Sequence, residues 1–136
     1  MDNNCIFCRI IEKEIPSKVV YEDNDFLAIL DIAPATRGHV LIIPKEHAAT
    51  MSELSDDKLS KILILAKKIV AAMKEVNGFT DYNIIQNNGE IAGQSVHHYH
   101  LHIIPRYNKG ELGLWTPHEN DASVTDELAE SIRQKI

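Results

Sequence analysis

Runs of branched and aliphatic residues mark three short strands early in the chain, at Lys18 to Glu22, Phe26 to Leu30 and His39 to Ile43. Asp23-Asn24-Asp25 reads as a hairpin turn between the first two, and Pro44 closes the third. Past its histidine the third run is wholly apolar, which predicts a strand covered on both faces or buried at a subunit contact. Tyr82 to Gln86 and His97 to Ile104 bring the predicted strands to five. A helical period appears three times. Phe7, Ile10 and Ile11 share one face of a short helix that ends before Pro16. Ser55-Asp56-Asp57 offers a cap and two acids where the helix dipole favours them, starting a helix to Val76 with Leu59, Ile62, Leu63, Ala66, Ile69, Val70 and Met73 as its buried stripe. Asn77-Gly78 stops it. Thr125 caps a last short helix with Leu128, Ile132 and Ile136 on one face. Strands in hairpin-like succession with one long and two shorter helices predict an α+β fold around a five-stranded antiparallel sheet.

Composition narrows the class. A chain of 136 residues, 44% hydrophobic and 25% charged, suits one compact domain, with a core over about 5–107 and a tail over 108–136. No apolar run approaches a membrane span, and Met1-Asp2-Asn3-Asn4 lacks the basic and apolar regions of a signal peptide, so a cytoplasmic protein with no membrane partner is expected. The formal charge of −6 argues against nucleic acid as a partner, since that affinity comes largely from basic residues meeting phosphates. Two cysteines, spaced Cys5-Ile6-Phe7-Cys8, are too few for a disulfide scaffold and suit a metal clip or a redox pair.

The densest chemistry lies in His98-Tyr99-His100-Leu101-His102-Ile103-Ile104. On a strand the three imidazoles share one face while Tyr99, Leu101 and Ile103 point to the core. Alternate residues lie about 6.6 Å apart, so the outer histidines are roughly 13 Å apart along the backbone. A metal with bonds of about 2 Å takes two neighbours at most, so the three histidines must divide their duties. Upstream, Asp31-Ile32-Ala33-Pro34-Ala35-Thr36-Arg37-Gly38 is a loop delivering the chain to His39, and the polar run Asn87 to Ser95, with Gly89 and Gly93, precedes the histidines. Glycine and serine there let backbone N–H groups approach an anion closely.

These residues resemble the histidine triad (HIT) family of nucleotide hydrolases and transferases, whose signature is His-x-His-x-His-x-x with hydrophobic x. The likeness runs from Phe7 through the Asp31 loop, His39 and Gly93-Gln94-Ser95 to Arg106, and weakens after that. It implies a nucleotide hydrolase or nucleoside phosphoramidase acting at the α-phosphate of AMP-type purine nucleotides. In that reading His100 is the nucleophile that forms a nucleotidyl-histidine, His102 and His39 meet the phosphate oxygens, and Ser95, Gln94 and Asn87 contact the phosphate or leaving group. Asp31 matches the ribose-binding acid, and Ile32, Phe7 and Ile10 resemble the lining of the base pocket, although such apolar residues also serve as ordinary core. His98 is left over from phosphate work. Cys5, Cys8, His47 and His98 form an acceptable closed tetrahedral zinc set, a pattern found in some bacterial HIT proteins, which implies structural Zn²⁺. The alternatives are an unmetallated thiol pair or a redox motif, the latter disfavoured because no βα unit surrounds the cysteines. The resemblance also implies a homodimer that joins two sheets. A nucleotidyltransferase using the same histidine, and a non-catalytic nucleotide-binding module, are the competing readings; the intact set of His39, His100, His102 and Ser95 disfavours the second.

Overall fold

The computed structural model of the protein describes residues 4–136; the polar start Met1-Asp2-Asn3 lies outside them. The elements in chain order are α1 (Ile6–Ile11), β1 (Val19–Glu22), β2 (Phe26–Leu30), β3 (Val40–Pro44), α2 (Asp56–Asn77), β4 (Asp81–Ile85), β5 (Leu101–Arg106) and α3 (Asp126–Arg133), with a 3₁₀ turn at Glu90–Ala92. The strands form one sheet in the order β1-β2-β3-β5-β4, and every pairing is antiparallel. The turn between β1 and β2 is pinned by Asp23 Oδ1, which accepts from the backbone N–H of Asp25 and of Phe26, both at 2.7 Å.

Alternation along the strands divides the core in two. Phe26, Ala28, Val40, Ile42, Leu101 and Ile103 face α2, which presents Ile62, Leu65, Ala66, Ile69, Val70 and Met73. Leu27, Ile29, Leu41 and Ile43 face the other way and meet α1 through Phe7, Cys8, Ile10 and Ile11. All five residues of β3 are buried, so the chain itself covers this strand on both faces. The second cluster draws its strand residues from β2 and β3 alone. His102, paired with Leu41, lies on that same face on the neighbouring strand β5.

Ser55 caps α2 through its hydroxyl, and Gly78 ends it in the left-handed conformation at φ 71°. The buried stripe takes Leu65, 8% exposed, where the helical reading placed Leu63, 59% exposed. The apolar run Ile62-Leu63-Ile64-Leu65 offers several choices of face, and the sheet selects one. The tail helix α3 forms where expected, capped by Thr125, but none of its residues is buried.

The expected fifth strand needs a larger correction. It begins at Leu101, not His97, so His98 and His100 lie in irregular backbone and only His102 of the three sits on a strand. The cause is on the neighbouring strand. The β3–β5 ladder pairs Ile42 with Leu101, so continuing it would bring Pro44 opposite this segment. Pro44 has no N–H to give a ladder, and its carbonyl accepts instead from the His98 ring at 2.7 Å.

Candidate active site and metal-ligating cluster

Gly38 sets the approach of the Asp31 loop to His39. It has φ +85°, a left-handed conformation that favours glycine, and a Cβ there would lie 2.5 Å from Asn77 Nδ2 and push that side chain aside at the end of α2. The loop is tied back where the Asp31 N–H donates to the His39 carbonyl at 2.9 Å. Asp31 Oδ1 accepts from the Ala33 N–H at 2.9 Å, and its Oδ2 lies 3.6 Å from His39 Nε2.

The tautomer of each buried histidine follows from its neighbours. The Ala35 N–H donates to His39 Nδ1 at 3.0 Å, so the His39 proton sits on Nε2. From there it donates to His102 Nδ1 at 2.9 Å, which leaves the His102 proton on Nε2. His100 Nδ1–H donates to the His98 carbonyl at 2.7 Å, which leaves a lone pair on His100 Nε2. The His100 and His102 rings lie 4.9 Å apart between centroids. A nucleophilic nitrogen thus stands beside a ring able to donate a proton. Burial lowers the pKa of His39, of His98 and of His100. His102 is pushed down to about 4 by burial first, then by repulsion from His100 and His39. All four are neutral near pH 7, the form that nucleophilic attack by imidazole requires.

His98 turns its ring away from this group. Its Nε2–H donates to the Pro44 carbonyl, so Nδ1 presents a lone pair to Cys5 Sγ at 3.3 Å and Cys8 Sγ at 3.6 Å. His47 Nδ1 lies 3.1 Å from His98 Nδ1 and 3.3 Å from Cys8 Sγ. Bonds of about 2.3 Å to sulfur and 2.0 Å to nitrogen at tetrahedral angles require S···N and N···N separations of roughly 3.3 to 3.6 Å. Four of the donor pairs lie 3.1 to 3.6 Å apart and all four atoms lie within 4.8 Å of one another, close enough to these separations to hold a metal ion, and the Pro44 contact is the outer hydrogen bond that ligating imidazoles characteristically make.

The sequence-predicted residues fall into three groups. His39, His100, His102 and Asp31 converge, as do Cys5, Cys8, His47 and His98. Phe7 and Ile10 are buried on the inner face of α1, and the Phe7 ring meets His100 edge-on at 4.9 Å, while Ile32 is 92% exposed. Gln94 is buried with both ends of its amide engaged, donating to the Ala49 carbonyl and accepting from the Gly89 N–H. Among the described residues no hydrogen bond ties Ser95 or Asn87 to the histidines; Ser95 lines a cavity of about 390 Å³ with Cys5, His47 and His97. A larger cavity of about 660 Å³ lies between α2, β1 and the Asp31 loop; Asp31 and His39 are in its lining, His100 and His102 are not. Sequence reasoning missed Ile29, which lies two residues before Asp31 and packs with Phe7 and Ile10; the two-residue period of the strand would have found it. It also missed the carbonyls of Pro44 and His98 and the N–H of Ala35, which no side-chain pattern encodes.

An open antiparallel sheet with this histidine arrangement is a HIT architecture, and a HIT domain profile matches residues 12–109. The chain belongs to the HIT family. It is 46% identical over 136 residues to the adenosine 5′-monophosphoramidase of Schizosaccharomyces pombe, with 98% of each chain covered. The crystal structure of a HIT family member from Bacillus subtilis superposes with a TM-score of 0.90 at 43% identity, covering 98% of each chain. A zinc-bound histidine triad protein from Mycobacterium smegmatis superposes with a TM-score of 0.75 at 38% identity, covering 81% of this chain and 80% of that one.

Proposed function

We propose that this protein is a nucleoside phosphoramidase that hydrolyses AMP-type purine substrates at the α-phosphorus through His100. The observation that carries the reading is the bond from His100 Nδ1–H to the His98 carbonyl, which leaves Nε2 free to attack beside the His102 donor. Nε2 forms a bond to phosphorus as the phosphorus–nitrogen bond of the substrate breaks, and the leaving amine takes a proton from solvent, which the attacking water returns in the second step. Water then attacks the nucleotidyl-histidine, releasing the nucleoside monophosphate and restoring neutral His100. His102 Nε2–H donates to a phosphate oxygen, and His39 holds His102 in that tautomer. Ser95, Gln94 and Asn87 serve the phosphate and leaving group, Asp31 the ribose hydroxyls, and Phe7, Ile10 and Ile32 the base. The S. pombe relative's activity supports the reaction class.

Cys5, Cys8, His47 and His98 hold zinc in this reading. With four protein ligands the ion has no open position and supplies a structural tie between α1, the turn after β3 and the segment before β5. The zinc-bound M. smegmatis relative supports the choice of ion. The 136 residues act as one HIT domain in the cytoplasm; among the described residues no helix is long and apolar enough to cross a membrane. The domain pairs with a second copy along the edge strand β4, whose Tyr82, Ile84 and Ile85 are exposed apolar residues.

Intact-mass measurement tests the chemistry. A His102→Asn or Ser95→Ala variant mixed with an adenosine phosphoramidate should gain one nucleotidyl group, and His100→Ala should gain none. Absence of any adduct, together with equal turnover by wild type and His100→Ala, would overturn the proposal. A monodisperse monomer by light scattering at micromolar concentration would overturn the dimer.

A further inference from the structure

His98 belongs to both histidine groups. Its ring is fixed at Nε2 by Pro44 and offers Nδ1 to the two cysteines and His47, while its carbonyl holds the Nδ1 proton of His100 at 2.7 Å. No ladder fixes that carbonyl, because β5 starts three residues later. The nearest backbone tie is the Tyr99 N–H, which donates to the Ala48 carbonyl at 2.7 Å, and Ala48 directly follows the candidate ligand His47. Phe7 makes a second link. It lies between the two cysteines on α1, and its buried ring meets His98 at 6.0 Å and His100 at 4.9 Å, both edge-on. Among the described residues, the hydrogen bonds that hold the His98 ring and its peptide thus run to the turn that carries His47, while the Tyr99 side chain anchors the same segment in the core beneath α2.

We propose that the Cys5, Cys8, His47 and His98 cluster positions the nucleophile: an ion bound there fixes the His98 carbonyl, and the carbonyl fixes His100 in the tautomer whose Nε2 can attack. His98 is then a positioning residue as well as a metal ligand. The inference rests on His100 being the nucleophile. It adds that metal occupancy sets the chemical step while leaving the ribose and phosphate groups of the Asp31 loop and β5 in place, because these are held by bonds that do not pass through the cluster; Phe7 and Ile10, on α1 with the two cysteines, move with the cluster and carry any change in KM. A purely structural ion would stabilise the fold and leave the His100 tautomer alone.

The experiment records side-chain ¹⁵N spectra of the histidines at pH 8 without substrate, on zinc-loaded and chelated protein, alongside kcat and KM for an adenosine phosphoramidate. Loaded protein should show His100 wholly as the Nδ1–H tautomer. Chelated protein should show a tautomer mixture at His100, with His39 and His102 unmoved, and kcat lower by about 10- to 100-fold, a larger factor than any change in KM. His47→Ala should reproduce the chelated state. His47→Asp should restore metal and tautomer, because a carboxylate oxygen can occupy the place of Nδ1. If chelation unfolds the chain, exchange of zinc for Cd²⁺, with its longer bonds, should still shift the His100 resonances and lower kcat. A folded, metal-free protein with one His100 tautomer and kcat within twofold of the loaded form overturns the proposal, as do His100 resonances unmoved by Cd²⁺. Because the tautomer is read without substrate, failure of the coupling is distinct from failure of the nucleophile assignment, which the adduct mass decides.

Discussion

Two groups of ligating side chains lie side by side here, and their hydrogen bonds suit them to opposite tasks. Asp31, His39 and His102 bring three potential ligand atoms together, as do Cys5, Cys8, His47 and His98. In the first group the Ala35 N–H occupies His39 Nδ1 and forces a proton onto Nε2, where a metal would have to bind. Loading that group means losing the proton and setting two donors against one another. In the second, the Pro44 carbonyl takes the proton of His98 at the far side of the ring, so the lone pair faces the two sulfurs. Proximity of histidines therefore does not define a metal site. The partner of the opposite ring nitrogen decides whether a ring relays protons or binds an ion.

The sharpest break between the two groups should come from His100→Ala. Removing the proposed nucleophile should lower kcat by about 10⁴-fold or more, and metal content should stay at one ion per chain. A variant that loses metal along with activity would show that the groups are not separable in this direction. The converse change is Cys8→Ser, at a fully buried position. The binding energy of a structural ion is folding energy, so this variant, or a chelator added to wild type, should lower Tm by roughly 10 °C or more. Equal melting curves with and without chelator would refute a structural ion.

Acid should distinguish the groups through His102. Its folded pKa is about 4 against 6.5 for a free histidine, because burial and two neighbouring imidazoles disfavour its charge. The folded state thus holds His102 neutral. Its contribution is present in full above pH 6.5 and is lost as pH falls toward 4, where the unfolded chain binds a proton that the folded chain refuses. A lowering from 6.5 to about 4 corresponds to about 3 kcal/mol. With zinc in excess, denaturant unfolding of His102→Asn should therefore show a shallower loss of stability than wild type between pH 7 and pH 4. Parallel curves would mean that His102 is not held neutral by its surroundings.

The sequence disclosed side-chain chemistry better than backbone chemistry. The continuous apolar runs Phe26 to Leu30 and Val40 to Ile43 identified two strands and predicted cover on both faces of β3, because a strand buried between two layers is apolar at every position. The Cys5-Ile6-Phe7-Cys8 spacing suggested a metal clip and the HIT resemblance joined His47 and His98 to it, four donors that the fold brings together. The two-residue period failed across His98 to His100, where it wrongly treats an irregular segment as strand. The cause, a missing N–H on Pro44, acts through a strand more than fifty residues earlier. Division of labour among the three histidines was legible as a necessity; its agents, the carbonyls of Pro44 and His98, were not, since any residue could supply them.

Asp31 supplies the smallest of these tests, and it bears on what the proton-relaying group does besides chemistry. Its charge raises the pKa of His39, His100 and His102, opposing their burial in each case. Its Oδ1 holds the loop at Ala33, and Asn at this position keeps that acceptor. Asp31→Asn thus removes charge with little change of shape. If the carboxylate also accepts from the ribose, the substitution exchanges a charge-assisted hydrogen bond for a neutral one, a loss of about 1 kcal/mol or roughly fivefold in kcat/KM. The same change measured on a substrate lacking the ribose hydroxyls should cost less than twofold. Equal losses on both substrates would assign the effect to the histidines instead, making Asp31 an electrostatic partner of His39 and not a ribose ligand.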